Sequence, residues 1–75
     1  MKFIEIKTTF DNLESAEKFA KDLLKARLIA CAQISESNSF FLWKGKTDSQ
    51  HEFILTMKTK RKLYNKIEEW IKSNH

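Results

Sequence analysis

The 75 residues of this chain include one glycine and no proline. Because these two residues are the strongest local breakers of helices and strands, their scarcity leaves few places where the chain can turn. The glycine, Gly45, lies in the polar run 44–49, between two stretches rich in β-branched and aromatic residues. Two such stretches joined by a short loop pair most simply as an antiparallel hairpin. We therefore predict a turn at 44–49 and a hairpin around it.

Three segments have the composition of β-strands. The first is 2–10, where apolar side chains recur with a period of two. The second starts as an apolar run at 28–34, continues through the polar run 35–39 and ends at 40–43, so one long strand, bent or bulged, is one alternative. The third is 51–58. The residues predicted to share a face are Ile4, Ile6, Thr8 and Phe10 in the first strand, and Phe53, Leu55 and Met57 in the third.

Two segments have the period of an amphipathic helix, 11–27 and 59–74. Either Asp11 or Asn12 can cap the first helix, and Glu14 follows Asp11 at the spacing of a capping-box variant. Glu68 and Lys72 form a favourable i,i+4 pair on the second helix. The predicted buried stripes are Leu13, Ala16, Ala20, Leu23, Leu24 and Arg27, with Phe19 at the edge, and Leu63, Ile67, Trp70 and Ile71.

The predicted order β-α-β-β-α indicates an α+β fold, in one domain spanning 1–75, with both helices on one face of the sheet. It matches the ferredoxin-like split β-α-β arrangement, which ordinarily ends with a fourth strand beside the first. The sequence ends after the second helix. We therefore expect a ferredoxin-like chain truncated before the fourth strand, whose first strand is an exposed edge open to another chain.

Charge and cysteine content narrow the classes of function. The net charge is +4, and residues 58–75 carry six basic and two acidic side chains, which can attract anions or nucleic acid. A single cysteine excludes an internal disulfide framework and favours a reduced, cytoplasmic setting. No apolar run is long enough for a membrane span. No P-loop, G-x-S-x-G or Rossmann motif is present and no spaced carboxylate pair is visible, so we do not expect an enzyme.

Several runs of residues resemble the CutA divalent-cation-tolerance family. They are the end of the first strand at 8–11, the run Ala26 to Ile34 (ARLIACAQI), the turn Phe41 to Lys46 (FLWKGK), and the strand 52–57 followed by Lys58-Thr59. Their order and spacing agree with the family over residues 3–75. The chain departs from the family at Lys44, where the family usually has glutamate, and ends where the family continues with a histidine-proline-tyrosine-glutamate motif.

The resemblance implies a subunit of a tight homotrimer, arranged as in the nitrogen-regulatory PII proteins. It also implies a role in tolerance of copper and other divalent cations, with copper as the expected ligand. His75 matches the histidine that the family uses in metal binding, and copper also suits imidazole and thiolate ligands. Cys31 is the second candidate ligand, although its setting among small apolar residues favours a buried core position.

Three further predictions concern surfaces. The large apolar side chains Phe40, Phe41 and Trp43 near the hairpin tip predict a subunit interface. Lys58, which ends a strand that the family also ends in lysine-threonine, is predicted to contact an anion. His51 is interpreted as a surface residue of the hairpin.

Two other functions compete with metal tolerance. One is an anion- or nucleic-acid-binding module using the basic cluster at 58–62, although nucleic acid is disfavoured because only Tyr64 could stack on a base. The other is a non-catalytic assembly or signalling scaffold like the PII proteins. The short turn at 44–50 argues against the scaffold, since those proteins use a long loop.

Overall fold

A computed structural model of the chain describes residues 2–74. It contains three strands and two helices in the predicted order β-α-β-β-α and belongs to the α+β class. The elements are β1 (Phe3–Phe10), α1 (Leu13–Lys25), β2 (Cys31–Trp43), β3 (Lys46–Lys60), one turn of 3-10 helix (Arg61–Leu63) and α2 (Tyr64–Asn74).

The three strands form one sheet in the order β1-β3-β2, with β3 antiparallel to both neighbours. β1 therefore runs parallel to β2, and these two strands are the outer strands of the described sheet. The pairing of β2 with β3 runs without interruption from Cys31 opposite Lys58 to Trp43 opposite Lys46. The long second strand is thus formed without a bulge in the polar run 35–39.

The turn of the hairpin is shorter than predicted. β3 begins at Lys46, so the turn is the pair Lys44-Gly45 and not 44–49. Both residues have positive φ, 52° and 77°, as type I′ hairpin turns require. That turn matches the twist of the flanking strands, so the polar residues beyond it remain in the ladder. The polar composition of 46–49 led to the wrong prediction of a longer turn. The hydrogen bonds between strands are made by the backbone, so polar side chains do not prevent them.

Helix α1 is capped by Asn12, and the predicted capping box of Asp11 and Glu14 is wrong. Asn12 has an extended backbone, and its side-chain oxygen accepts a hydrogen bond of 2.8 Å from the N–H of Ser15. An asparagine oxygen in this position satisfies one of the N–H groups that a helix start leaves unpaired. Asp11 lies one residue too early to do so.

Helix α1 ends without a glycine because Arg27 takes the left-handed conformation, with φ of 60°. The N–H of Leu28 donates to the carbonyl of Leu23, and the N–H of Arg27 donates to that of Leu24, both at 3.0 Å. These two bonds define a Schellman motif. The motif turns the chain from α1 towards β2 within a few residues.

Both helices pack on one face of the sheet, as predicted, and share one buried cluster with it. Along β1 the expected alternation is confirmed, since Ile4, Ile6 and Thr8 are half-buried and Phe10 is buried. In α1, Phe19 is buried while Leu24 is 41% exposed, so the stripe is rotated from its predicted position. The cluster consists of Phe10, Ala16, Phe19, Ala20, Leu23, Ile29, Leu55, Met57 and Ile67.

Candidate functional site

The sheet face opposite the helices, termed here the open face, carries the predicted site residues Cys31 and Lys58. Cys31 lies directly opposite Lys58 in the register, and Glu5 lies opposite Lys58 on its other side. Cys31 is exposed, so the interpretation of this residue as part of the core is wrong. Side chains alternate along a strand, and Ala32, opposite Met57, occupies the core side instead.

One chain supplies few metal ligands around Cys31. Within residues 2–74, no three His, Cys, Asp or Glu side chains are close enough together to hold a metal ion. The side chain directly across from Cys31 belongs to Lys58, whose positive charge disfavours a bound cation. The other predicted ligand, His75, lies outside the described residues. The described part of one chain therefore offers Cys31 as a single thiol ligand.

Lys58 and Thr59 point to opposite faces at the end of β3. Thr59 is 1% exposed, and its hydroxyl donates a hydrogen bond of 2.6 Å to the carbonyl of Leu28. The N–H of Ala30 donates to the carbonyl of Lys58 at 2.8 Å. These contacts fix the segment that leads into β2. The Lys58 side chain is exposed on the open face, and its predicted contact with an anion stays a prediction.

The last four residues of β2 form an apolar tip on the hairpin: Phe40, Phe41, Leu42 and Trp43. Phe40 is 79% exposed and Trp43 is 61% exposed, so the predicted exposure of these aromatic residues is confirmed. Alternation places Phe41 and Trp43 on the open face and Phe40 and Leu42 on the other. The ammonium of Lys44 lies 5.8 Å from the Trp43 ring centroid. An exposed apolar cluster of this kind is typical of an interaction surface.

A polar cluster that the sequence did not indicate lies on the helix-bearing face of the sheet, just beyond the end of β1. His51 is opposite Asn38 in the register, and its Nδ1 is 2.8 Å from the Asn38 side-chain oxygen. The Nε2 of His51 is 3.5 Å from the Glu36 carboxylate. The ring also meets Phe53 edge-on, at 5.2 Å between centroids. Only the register of the hairpin brings these residues together.

A basic cleft lies where the chain leaves β3. It is lined by Lys2, Lys60, Arg61 and Lys62, and the N–H of Arg61 donates to the carbonyl of Lys2 at 3.0 Å. Much of the charge excess found in the sequence is thus concentrated at one end of the sheet. Clustered cations raise the local concentration of anions.

Tyr64, at the start of α2, lies beside Arg61 and Lys62 of this cleft. Its hydroxyl donates a hydrogen bond of 2.9 Å to Glu68, and that carboxylate raises the pKa of the Tyr64 phenol through the bond and through its charge. Glu68 also pairs with Lys72 at 3.8 Å, as the sequence predicted. The tyrosine is therefore already bonded to an acidic partner, which weakens it as a stacking surface for a base.

Neither described helix has the length and apolar content that a membrane span requires.

The chain is similar to known proteins in sequence and in overall fold. The family model "CutA1 divalent ion tolerance protein" matches residues 4–75. The divalent-cation tolerance protein CutA of Pyrococcus horikoshii is 44% identical over 72 residues, which is 96% of this chain and 71% of that protein. A crystal structure of P. horikoshii CutA superposes with a TM-score of 0.85 at 42% identity, covering 99% of this chain and 72% of that chain.

The structure of the periplasmic divalent cation tolerance protein CutA from Archaeoglobus fulgidus also superposes with a TM-score of 0.85, at 35% identity over 99% of this chain and 72% of that one. The family model and the relatives agree over nearly the whole chain. The two superposed structures share the overall fold described above. The chain therefore belongs to the CutA1 divalent ion tolerance protein family.

Proposed function

We propose that this chain acts in tolerance to divalent cations by binding copper, or another divalent cation, as a homotrimer. The match of the family model to residues 4–75 carries the proposal, because the relatives are named for this tolerance. The proposed role is binding and not catalysis, and the proposed location is the cytoplasm. The relative from A. fulgidus is described as periplasmic, so the location is open to a direct test by fractionation.

The surface of the single chain supports assembly. The apolar tip would be costly to leave in water, and burying it in an interface removes that cost. The outer edge of β1 presents backbone groups that can pair with a further strand. The order β1-β3-β2 is that of a ferredoxin-like sheet, for which we propose the PII-like trimer. The two-residue turn Lys44-Gly45 leaves no room for a long ligand-binding loop, which disfavours the signalling scaffold.

Within this proposal, a cation would lie between copies of the chain. Cys31 is exposed on the open face, and the described residues of one copy do not complete a site around it. His75 is the proposed second ligand, since the resemblance assigns metal binding to this position. A thiolate and an imidazole together favour copper or zinc over magnesium or calcium.

The metal proposal is tested by titrating the purified chain with Cu(II) and Zn(II), beside Cys31→Ser, His75→Gln and the double variant. Wild type should bind about one cation more per chain than the double variant, because only the wild type has the ligands Cys31 and His75. Equal binding by the wild type and the double variant would contradict the assignment of Cys31 and His75. A Cys31→Ala variant controls for the loss of the thiol without a new hydroxyl.

The trimer is tested by absolute mass from light scattering. Wild type should have three times the mass of one chain, and Phe41→Ser/Trp43→Ser should dissociate because the apolar tip loses two of its three aromatic side chains. Gln50→Ala, on the same face of the hairpin but outside the apolar tip, is the matched control and should remain trimeric. A monomeric wild type would exclude the trimer.

The basic cleft favours a second candidate function, the binding of an anion or a nucleic acid. Four cations line it, and phosphate binding by such a cluster weakens steeply with salt. The test is binding of a labelled single-stranded oligonucleotide and of inorganic phosphate at low and moderate salt, with Arg61→Gln/Lys62→Gln as the variant. Binding that does not change with salt, or with this variant, would exclude the candidate.

A further inference from the structure

We propose that Glu36 and His51 form a binding site for a divalent transition-metal cation, separate from Cys31 and His75. The site lies where the sheet narrows from three strands to two, since β1 ends with Phe10 opposite Phe53. It occupies the helix-bearing face of the hairpin, whereas Cys31 lies on the open face. The inference therefore goes beyond the proposed function and does not depend on it.

The hydrogen bond to Asn38 makes Nδ1 of His51 the donor nitrogen. The side-chain oxygen of Asn38 can only accept, so Nδ1 of His51, 2.8 Å away, carries the proton. In the neutral ring the lone pair is then on Nε2, 3.5 Å from the Glu36 carboxylate oxygen. Two acceptors facing one another repel unless a proton or a cation lies between them.

The distance between the two acceptors suits a metal ion. Two ligand atoms each about 2.1 Å from a tetrahedral zinc ion are about 3.4 Å apart, close to the separation observed here. Imidazole and carboxylate are both common ligands of zinc and copper. The side chains of His51 and Glu36 are 47% and 67% exposed, so a hydrated cation can reach them and keep water on its remaining positions.

The neighbours of His51 hold the ring in place. Histidine ligands of metals ordinarily donate their other N–H to an oxygen, which fixes the tautomer and the ring orientation. Asn38 supplies that oxygen here. The ring of Phe53 meets the His51 ring edge-on, at an interplanar angle of 85°. This contact restricts rotation of the His51 ring.

The test is made in the double variant Cys31→Ser/His75→Gln, in which His51 is the only histidine. Zn(II) is titrated while nitrogen NMR follows the two ring nitrogens. The signal of Nε2 should shift and saturate, and Nδ1 should keep its proton. In the same background Glu36→Gln and Asn38→Ala should each weaken binding about tenfold or more, since one removes a ligand and the other its support.

Glu52→Gln is the matched control. Glu52 lies on the same strand, adjacent to His51, but faces the other way and accepts a hydrogen bond of 3.2 Å from Ser39. Its loss should leave zinc binding unchanged. The amide spectrum of each variant confirms that the hairpin is formed.

Three results would overturn the inference: no saturable shift in the double variant, a shift of Nδ1 instead of Nε2, or unchanged affinity in Glu36→Gln. These outcomes are distinguishable from failure of the proposed function. That function fails when Cys31 and His75 add nothing to the binding of the wild type. The present inference is tested with both of those residues already removed.

Discussion

The hydroxyl of Thr59 donates a hydrogen bond of 2.6 Å to the carbonyl oxygen of Leu28. Thr59 is 1% exposed, at the end of the central strand, and Leu28 closes the Schellman motif that ends α1. One part-buried hydrogen bond therefore joins the end of the helix to the end of β3. The residue after the exposed Lys58 faces the interior, and a threonine there supplies the hydroxyl that donates to Leu28.

Replacement of Thr59 by valine should lower the free energy of unfolding by about 1–3 kcal/mol. Valine keeps the shape of the side chain but leaves the part-buried carbonyl of Leu28 without this donor. The measurement is the urea midpoint and slope of each variant. Thr56→Val is the control, because Thr56 lies on the open face and is not bonded to Leu28. This substitution should change the free energy of unfolding by no more than about 0.5 kcal/mol.

Replacement of Asn12 by alanine should cost about 1 kcal/mol, because the N–H of Ser15 loses its side-chain acceptor. Asp11→Ala removes the neighbouring short polar side chain, which does not cap the helix, and should cost clearly less. Thermal unfolding followed by circular dichroism compares the two. A larger effect at Asp11 than at Asn12 would contradict the cap described here.

The hairpin turn should respond in opposite directions to two substitutions. Lys44→Asn should stabilise the chain by about 0.5–1 kcal/mol, because asparagine tolerates the left-handed conformation better than lysine. Gly45→Ala should destabilise it by about 1 kcal/mol although no atom lies within 4 Å of the added Cβ, since the positive φ alone is strained. Changes of the same sign in denaturant unfolding would show that the turn has another geometry.

The titration of Tyr64 should shift downwards in Glu68→Gln. The Glu68 carboxylate raises the pKa of Tyr64 because it accepts the phenol proton and repels the phenolate. The stabilising contribution is therefore present below the ordinary tyrosine pKa and is lost as the pH rises through the raised one. Tyr64 is the only tyrosine, so the ultraviolet absorbance of phenolate reports it directly.

Glu69→Gln is the control for that titration. It removes a carboxylate from the same helix without removing the hydrogen bond to the phenol. The midpoint for Tyr64 should then change little. An equal shift in both variants would mean that overall charge, and not the bond to Glu68, governs the phenol.

The element order and most of the core followed from the sequence because the apolar periods of β1, β3 and both helices are regular. Ile67 and Leu23 show this, since each was expected in the buried stripe of its helix and each is 0% exposed. The apolar period did not predict which side chains of β2 face the core, because its polar and small residues do not alternate with large apolar ones. That is why Cys31 was assigned to the core when its side chain lies on the open face.

The local chemistry of the candidate sites was harder to predict. The contact of His51 with Glu36 depends on the register of the hairpin, and the register depends on a two-residue turn that composition suggested to be longer. Asn12 and Asp11 differ by one position, which propensity alone does not resolve. The functional hypothesis came from the resemblance to a known family, because neither the charge distribution nor the apolar periodicity indicates a function.

The central position of β3 has a consequence for the order in which the chain can fold. β2 reaches β3 across the pair Lys44-Gly45, whereas Phe10 must find Phe53, and Phe3 must find Lys60, across most of the sequence. The longer loop carries the larger closure entropy, so we expect the hairpin to form early. On the ribosome, β1 is the first strand to be made, and it has no strand to pair with until β3 has been synthesised.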